Sequence, residues 1–326
     1  MLISGSEARE LEPDISPEIV MALHSPETGI IDSHALMASF ERDIIESENG
    51  ELVYSTSVTR IDPYAPSNLA LGVPNVDAQH DGWVVQIVTR KADEMSSDEG
   101  DALLARTLIN SSGLSSNLIL NSLVPHDARI PMYYARGSYA AYNGPGVGRV
   151  SRLLYPCPNI GKVDGHAIQS LGTHLTLDLL GNVKFGPDIQ WISPAPVLAC
   201  GREENQYLNE DIFSYDEKNI DFWKQHLAAD DTQLVAMYEA VKTYLPGVEA
   251  TKFRPDYVGI RPKLVPAWGG FQDFVFRRDR SSDFLGAIKK GGGEDGVMIS
   301  LMGIESPGLT ASLAIADDVV YMLAAS

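Results

Sequence analysis

No run of apolar residues in this chain approaches the roughly 20 that a bilayer-crossing helix requires, so no transmembrane segment is expected. Basic residues are scarce: 25 Lys and Arg stand against 44 Asp and Glu, a formal net charge of −19. Binding to nucleic acid releases counterions only where a basic excess meets phosphate, and no such excess exists, so no nucleic-acid partner is expected. The same acidity gives no long-range pull on an anionic substrate, so a carboxylate ligand has to be held by a few local cations. Cysteine is nearly missing. Cys157 and Cys200 cannot build a disulfide framework, and neither belongs to a CxxC or Cys/His cluster of metal-ligand spacing. No metal site is expected, and both thiols read as buried.

Several catalytic signatures are missing too. Without HExxH, GxSxG, a Walker loop or the kinase set, the metalloprotease, α/β-hydrolase and NTPase classes fall away. The N-terminal MLISGSEARELEPDISPEI has no basic stretch followed by an apolar one, and it is too acidic for a transit peptide. Nothing before residue 50 supplies the opening strand, glycine loop and helix of a doubly wound nucleotide domain.

What is present suits a globular chain. Its 326 residues, 44% hydrophobic and 21% charged, can bury one large core or two ordinary ones. A helix is predicted over 31–50, with Asp32 or Ser33 as cap, Leu36, Phe40 and Ile44 at four-residue spacing, and Asn49-Gly50 as its end. Strands are predicted at 52–61, bounded by Pro63, and at 83–89. A short strand at 105–110 runs into Ser111-Ser112-Gly113 and a helical pattern over 114–123, the grammar of a parallel sheet. Between 131 and 187 the pattern becomes antiparallel: YYARGSYAAY, RLLYPCP, HAIQSLGTHLTLD and GNVKFGPD, with a hairpin at Leu180-Gly181-Asn182. Helices over 216–228 and 231–244, strands at 256–264, 273–276 and 296–302, and a helix over 307–324 complete the series.

The chemistry concentrates in a few places. Gly303-Ile304-Glu305-Ser306-Pro307-Gly308-Leu309-Thr310 follows the strand VMISLM. Ser306 reads as N-cap, Pro307 as the first helical residue, and Gly308 as leaving the first-turn amides uncovered. Such a turn either offers free N–H groups to an electron-rich ligand or simply starts a core helix. Asn110 to Gly113 is a weaker signal of the same kind. Gly291-Gly292-Gly293 precedes a strand rather than a helix and reads as a hairpin loop. Arg261 lies in an otherwise apolar strand, where its fork suits either a carboxylate ligand or a structural ion pair. His174, on an alternating strand, is either a general base or a hydrogen-bonding structural group. Tyr155 reads as a packing aromatic with a polar tip.

Read in order, SGSEARELEP at 4–13, LHSPETGIID at 23–32, TSVTRI at 56–61, INSSGL at 109–114, RGSYAAY at 136–142, LLYPCP at 153–158, LGTHLTLDLLGNVKFGPD at 171–188, GIRPKL at 259–264 and SPGLTASLAIADDV at 306–319 resemble the glycine-oxidase/D-amino-acid-oxidase superfamily of FAD enzymes. Within it they are most similar to the L-2-hydroxyglutarate dehydrogenase family. The resemblance implies an α/β and α+β fold: a truncated Rossmann-type FAD domain (31–125 and 295–326) interleaved with an antiparallel-sheet substrate domain (1–30 and 126–294). It implies FAD as cofactor, with Val58 toward the adenine and Asn110, Ser112 and Gly113 along the cofactor. Gly303, Ser306, Pro307, Gly308, Leu309 and Thr310 would meet the flavin ring's carbonyl edge. Arg261 and His174 would be catalytic, and with Tyr155 would contact a small 2-hydroxy dicarboxylate substrate.

The family's opening glycine loop, and the ribose-binding acid some 20 residues after it, have no counterpart at the start of this chain. Truncation is the expected reason, since the remaining motifs are intact. An exposed sheet edge and poor solubility are expected to follow. The resemblance also implies a mitochondrial location, with any targeting segment upstream, and leaves the electron acceptor open. A related amino-acid, sarcosine or glycerol-phosphate oxidoreductase, or a non-catalytic fragment unable to hold FAD, remain as alternatives.

Overall fold

The computed structural model describes residues 1–66, 80–89, 99–157, 159–163, 166–170, 172–192, 217–285 and 295–324. Cys200 and the triple glycine at 291–293 lie outside them. The chain opens with β1 (Leu2–Ser4), which runs directly into α1 (Gly5–Leu11). Ser4 accepts the Glu7 amide while Glu7 accepts the Ser4 amide, so two donors that a first turn leaves free are satisfied reciprocally. β2 (Met21–Leu23) returns antiparallel to β1. α2 (Ser33–Ser47) forms where the four-residue spacing predicts it, and Asp32 caps it through the His34 and Ala35 amides. No residue of α2 is buried, and Met37, Phe40, Ile44 and Ile45 are exposed.

β3 (Thr56–Tyr64), β4 (Gly82–Thr89) and β5 (Glu99–Ala105) make an antiparallel sheet in that order. Pro63 does not end β3 as expected. β3 is an edge strand, where a missing N–H breaks no ladder bond. β6 (Thr107–Asn110) passes through a tight turn at Gly113–Ser115 into α3 (Ser116–Asn121), a shorter helix than the 114–123 pattern suggests.

β7 (Tyr133–Tyr142) organises the largest sheet. β8 (Asn159–Val163) and β9 (His166–Ser170) pair as a separate hairpin. β10 (His174–Leu177) and β11 (Val183–Gly186) form the hairpin that Leu180-Gly181-Asn182 predicts, its turn held by Asp178, which accepts the Leu180 and Asn182 amides. Of RLLYPCP, residues 152–157 do not form a strand: they contribute one bridge, Leu154 to Leu175, and Pro156 cannot donate to a ladder. Cys157, in that loop, is exposed rather than buried.

β12 (Gln190–Ile192) shares one edge of β7 with β11. β11 pairs with Ala140–Tyr142 and β12 with Tyr134–Arg136. Between them Asp188 bonds Ser138 twice, its amide to the carbonyl and its carboxylate to the amide. Gly186 is required at the break: at φ +147, a Cβ there would stand 2.8 Å from the Ser138 carbonyl oxygen. After α4 (Glu217–Leu227) and α5 (Leu234–Lys242), β13 (Phe253–Lys263) covers the opposite edge of β7 from Tyr133 to Tyr142.

β14 (Val275–Arg280), β15 (Val297–Met302) and α6 (Gly308–Ala324) end the described chain. β15 pairs antiparallel with β14 and parallel with β6, the parallel pairing that the strand–turn–helix grammar predicts. Its continuous apolar run is explained by burial on both faces. Met298 and Met302 pack with Ile61, Trp83 and Leu120, while Ile299 and Leu301 pack with Ile315 and Val319 of α6. A third cluster joins α1, the β7 sheet and α5 around Phe185, Leu175, Met237 and Phe253. Among the described residues no helix is long and apolar enough to cross a membrane.

Candidate functional site

A cavity of about 240 Å³ opens where the broken edge of β7, the C-terminal half of β13 and the turn after β15 converge. His174, Arg261, Lys263, Gly303, Glu305 and Ser306 carry the chemistry of its wall. Strand β13 presents Arg261 and Lys263 together because alternate residues share one face of a strand. Glu305, on the turn after β15, answers both: its carboxylate lies 3.7 Å from the Arg261 guanidinium and makes a close ion pair with the Lys263 ammonium. Gly303 starts that turn at φ +68, a left-handed backbone where a Cβ would also meet the Leu264 side chain at 2.8 Å.

His174 opens β10 and is 6% exposed. Its ring stacks on Tyr155 at 4.2 Å, and its Nδ1 has no hydrogen-bond partner. Burial, helped by the positive charge of Arg261 and partly offset by a hydrogen bond to the Gly172 backbone, pushes its pKa down to about 4. The imidazole is therefore neutral at pH 7, with a ring nitrogen unused. Its folded-state pKa lies below the ordinary value of 6.5, so the stability it contributes is intact above pH 6.5 and is lost as pH falls toward 4. At about 1.4 kcal/mol per pKa unit, that loss is on the order of 3 kcal/mol. Urea midpoints measured from pH 7 to 4 should fall less steeply for His174→Phe than for the parent. Parallel curves would mean that the buried imidazole does not govern acid sensitivity.

Arg136 also lines the cavity, yet its guanidinium is fully occupied. It donates to the His226 and Ala228 carbonyls, to Ser138 and to Asp230, all at 2.8–2.9 Å. The other acids in the wall are engaged as well: Asp188 accepts the Ser138 amide and Asp273 the Phe274 amide.

The cavity brings together His174, Arg261, Gly303 and Ser306 of the residues that the sequence singles out. Tyr155 does not line it and instead supports the outer face of the His174 ring. Asn110 is buried and braces the turn after β6, bonding the Ser116 carbonyl and the Ser112 hydroxyl. Gly113 stands at φ +59 with open space where a side chain would be. Val58 is exposed on β3, in another sheet.

Two local expectations need correction. Ser306 is not the N-cap and Pro307 is not the first helical residue, because α6 begins at Gly308 and the Pro307 carbonyl accepts the first helical bond, from Ala311. Gly308 does not leave its own amide open. It is buried, its N–H donates to the Glu305 carbonyl, and a Cβ there would press on Ile304. Leu309 and Thr310 are exposed and do not line the cavity. Lys263 and Glu305 escape the sequence reading, although the period-two rule applied from Arg261 would have marked Lys263.

Over residues 1–322 the chain matches the family model described as FAD dependent oxidoreductase. It is 30% identical over 329 residues to the mitochondrial L-2-hydroxyglutarate dehydrogenase of Arabidopsis thaliana, covering 98% of this chain and 59% of that protein. To the protein of the same name from Dictyostelium discoideum it is 23% identical over 335 residues, covering 98% and 65%. The chain thus spans about three fifths of the length of these relatives. Its fold resembles that of the dithionite-reduced L-alpha-glycerophosphate oxidase of Mycoplasma pneumoniae, solved with FAD bound, at a TM-score of 0.55 and 15% identity over 99% of this chain and 64% of that one. The mixed helix and sheet architecture is the fold of such an FAD-binding oxidase, and the chain belongs to the FAD dependent oxidoreductase family, whose cofactor is FAD.

Proposed function

We propose that this chain carries the substrate site of an enzyme that oxidises L-2-hydroxyglutarate to 2-oxoglutarate. The supporting observation is that one cavity joins a carboxylate-matching arginine, Arg261, to a neutral imidazole with an unused nitrogen, His174. The guanidinium fork takes the C1 carboxylate through two parallel hydrogen bonds, fixing the C2 hydroxyl relative to the ring of His174. His174 accepts the hydroxyl proton at Nδ1. Burial is the main cause of the depressed imidazole pKa, and the arriving carboxylate offsets the smaller part that comes from the Arg261 charge, which favours proton uptake by His174. Burial of the imidazole keeps bulk water from competing for that nitrogen.

Bound FAD would supply the acceptor for the C2 hydride. The residues present suit its ring end, where Gly303 and Ser306 line the cavity and Gly113 leaves space beside the chain. They offer no pyrophosphate cradle among the described residues. β1 runs directly into α1 with no glycine loop between them, and among the described strands it pairs with antiparallel β2 alone, so it does not open a parallel nucleotide-binding sheet. In this reading residues 31–125 and 295–326 form the flavin side, and 1–30 and 126–294 the substrate side. Because both curated relatives are named mitochondrial, we assign the same location.

A dye-linked assay of the purified protein supplied with FAD, across 2-hydroxy acids, amino acids and glycerol phosphate, tests the proposal. L-2-hydroxyglutarate should give the highest turnover, with flavin absorbance retained after gel filtration. Faster turnover of an amino acid or of glycerol phosphate would replace this substrate with a sibling. Loss of all flavin on the column would assign the chain a non-catalytic role.

A further inference from the structure

Arg261 and Lys263 stand two residues apart on β13, about 6.8 Å between Cα atoms for an extended strand, a spacing comparable to the span of a short diacid. Their side chains are 29% and 24% exposed, and both turn to Glu305, itself 14% exposed. A single carboxylate thus bridges two cations in the cavity whose wall includes His174. The other wall acids, Asp188 and Asp273, are held by backbone amides, and Arg136 is held by Asp230 and helix carbonyls. Among the described residues, Glu305 is the one ion-pair partner of Lys263 and Arg261, which leaves further donors on both cations for a ligand.

We infer that Lys263 is the receptor for a second substrate carboxylate, and that Glu305 stands in for that carboxylate until a diacid displaces it. The inference rests on the reading of the cavity as a 2-hydroxy-acid site with C1 on Arg261. Arg261 recognises the carboxylate common to all 2-hydroxy acids. Lys263 adds the contact that only a dicarboxylate can make, and Glu305 competes with it. The three side chains together carry one net positive charge, so a monoacid is balanced with Glu305 in place. A diacid requires Glu305 to turn away. Selectivity is set by a contest between an internal carboxylate and an external one.

Calorimetric titration of the 326-residue protein with L-2-hydroxyglutarate and with L-2-hydroxybutyrate separates these roles. Lys263→Gln should weaken 2-hydroxyglutarate roughly tenfold, the weight of one charge-assisted hydrogen bond, and leave 2-hydroxybutyrate within twofold. Lys263→Arg should keep the preference for the diacid. Glu305→Gln should tighten 2-hydroxyglutarate severalfold, where a purely structural ion pair would lower the melting temperature without changing the preference. If Lys263→Gln shifts both ligands equally or neither, Lys263 is not a second-carboxylate receptor. If Lys263→Gln fails to fold, Lys263→Arg and Glu305→Gln still decide the matter: loss of the diacid preference in the first, or its persistence unchanged in the second, overturns the proposal. If the parent binds neither acid, the 2-hydroxy-acid reading itself falls. If it binds both and the variants are silent, only the Lys263 assignment falls.

Discussion

Replacing Arg136 with methionine should lower the free energy of unfolding by about 2–5 kcal/mol, since two carbonyls and a hydroxyl lose a donor and an unsatisfied buried group costs about 1–3 kcal/mol. The side chain of Arg136 is 4% exposed, and it donates to two carbonyls, a hydroxyl and a carboxylate. The two carbonyls belong to His226 and Ala228, at the C-terminal end of α4, where a helix leaves its last acceptors without partners. Arg136 fills them and places a cation against the negative end of the helix dipole. Methionine keeps much of the volume but none of the donors, so both carbonyls and Ser138 lose their partner near the cavity floor. Asp230 is 43% exposed and can be solvated, so Asp230→Asn should cost no more than about 1 kcal/mol. Guanidinium denaturation of the two variants checks the contrast. A loss below about 1 kcal/mol for Arg136→Met would mean that water replaces the guanidinium without penalty.

Arg261→Lys should weaken L-2-hydroxybutyrate, a ligand with one carboxylate, by tenfold to about a hundredfold. The substitution keeps the charge and removes the planar fork, so at least one of two charge-assisted hydrogen bonds, each about 1.5–3 kcal/mol, is lost or bent. The fold should tolerate it. Arg261 is 29% exposed, and its contact with Glu305, at 3.7 Å, is long for a hydrogen bond. Lys263 also holds Glu305 more closely than Arg261 does, so the turn after β15 retains its main anchor. Calorimetry on the folded protein, together with its melting temperature, distinguishes the roles. Unchanged affinity with a melting temperature several degrees lower would make Arg261 a structural partner of Glu305 and remove it from the site.

Much of the fold follows from periodicity. α2 and α6 were legible because their apolar residues recur at helical spacing, and β15 because VMISLM is apolar at every position but Ser300, as a strand covered on both faces must be. The strand before Gly113 announced its parallel pairing through the turn and helix after it. β5 was not legible: EGDALLA has no β-branched residue, and it becomes a strand only because β4 offers an unpaired edge. RLLYPCP misled in the opposite sense, since its apolar content suggested a strand, whereas Pro156 cannot donate to a ladder.

In the site, Arg261 and His174 were visible as polar residues out of place on apolar strands. Lys263 looked like the ordinary end of a strand, and its importance arises from Glu305, forty-two residues later in sequence. Such a pairing is fixed by how β13 meets the turn after β15, which no local pattern encodes. Gly308 was misread for a related reason. A glycine at a helix start suggests open amides, whereas here Ile304 occupies the space that a side chain would need.

β7 is paired from Tyr133 to Tyr142 by β13 on one side, with one irregularity between Pro255 and Val258, and only in two short segments by β11 and β12 on the other. The longer pairing with β13 fixes register, so the β11–β12 side can vary in length without the sheet slipping. That interruption, around Pro187 and Asp188, is also a wall of the cavity. Insertions or deletions there would reshape the cavity while leaving Arg261 and Lys263 at fixed positions on the regular Val258–Lys263 part of the ladder. The shape of the cavity can therefore change by loop length alone, with β13 left intact.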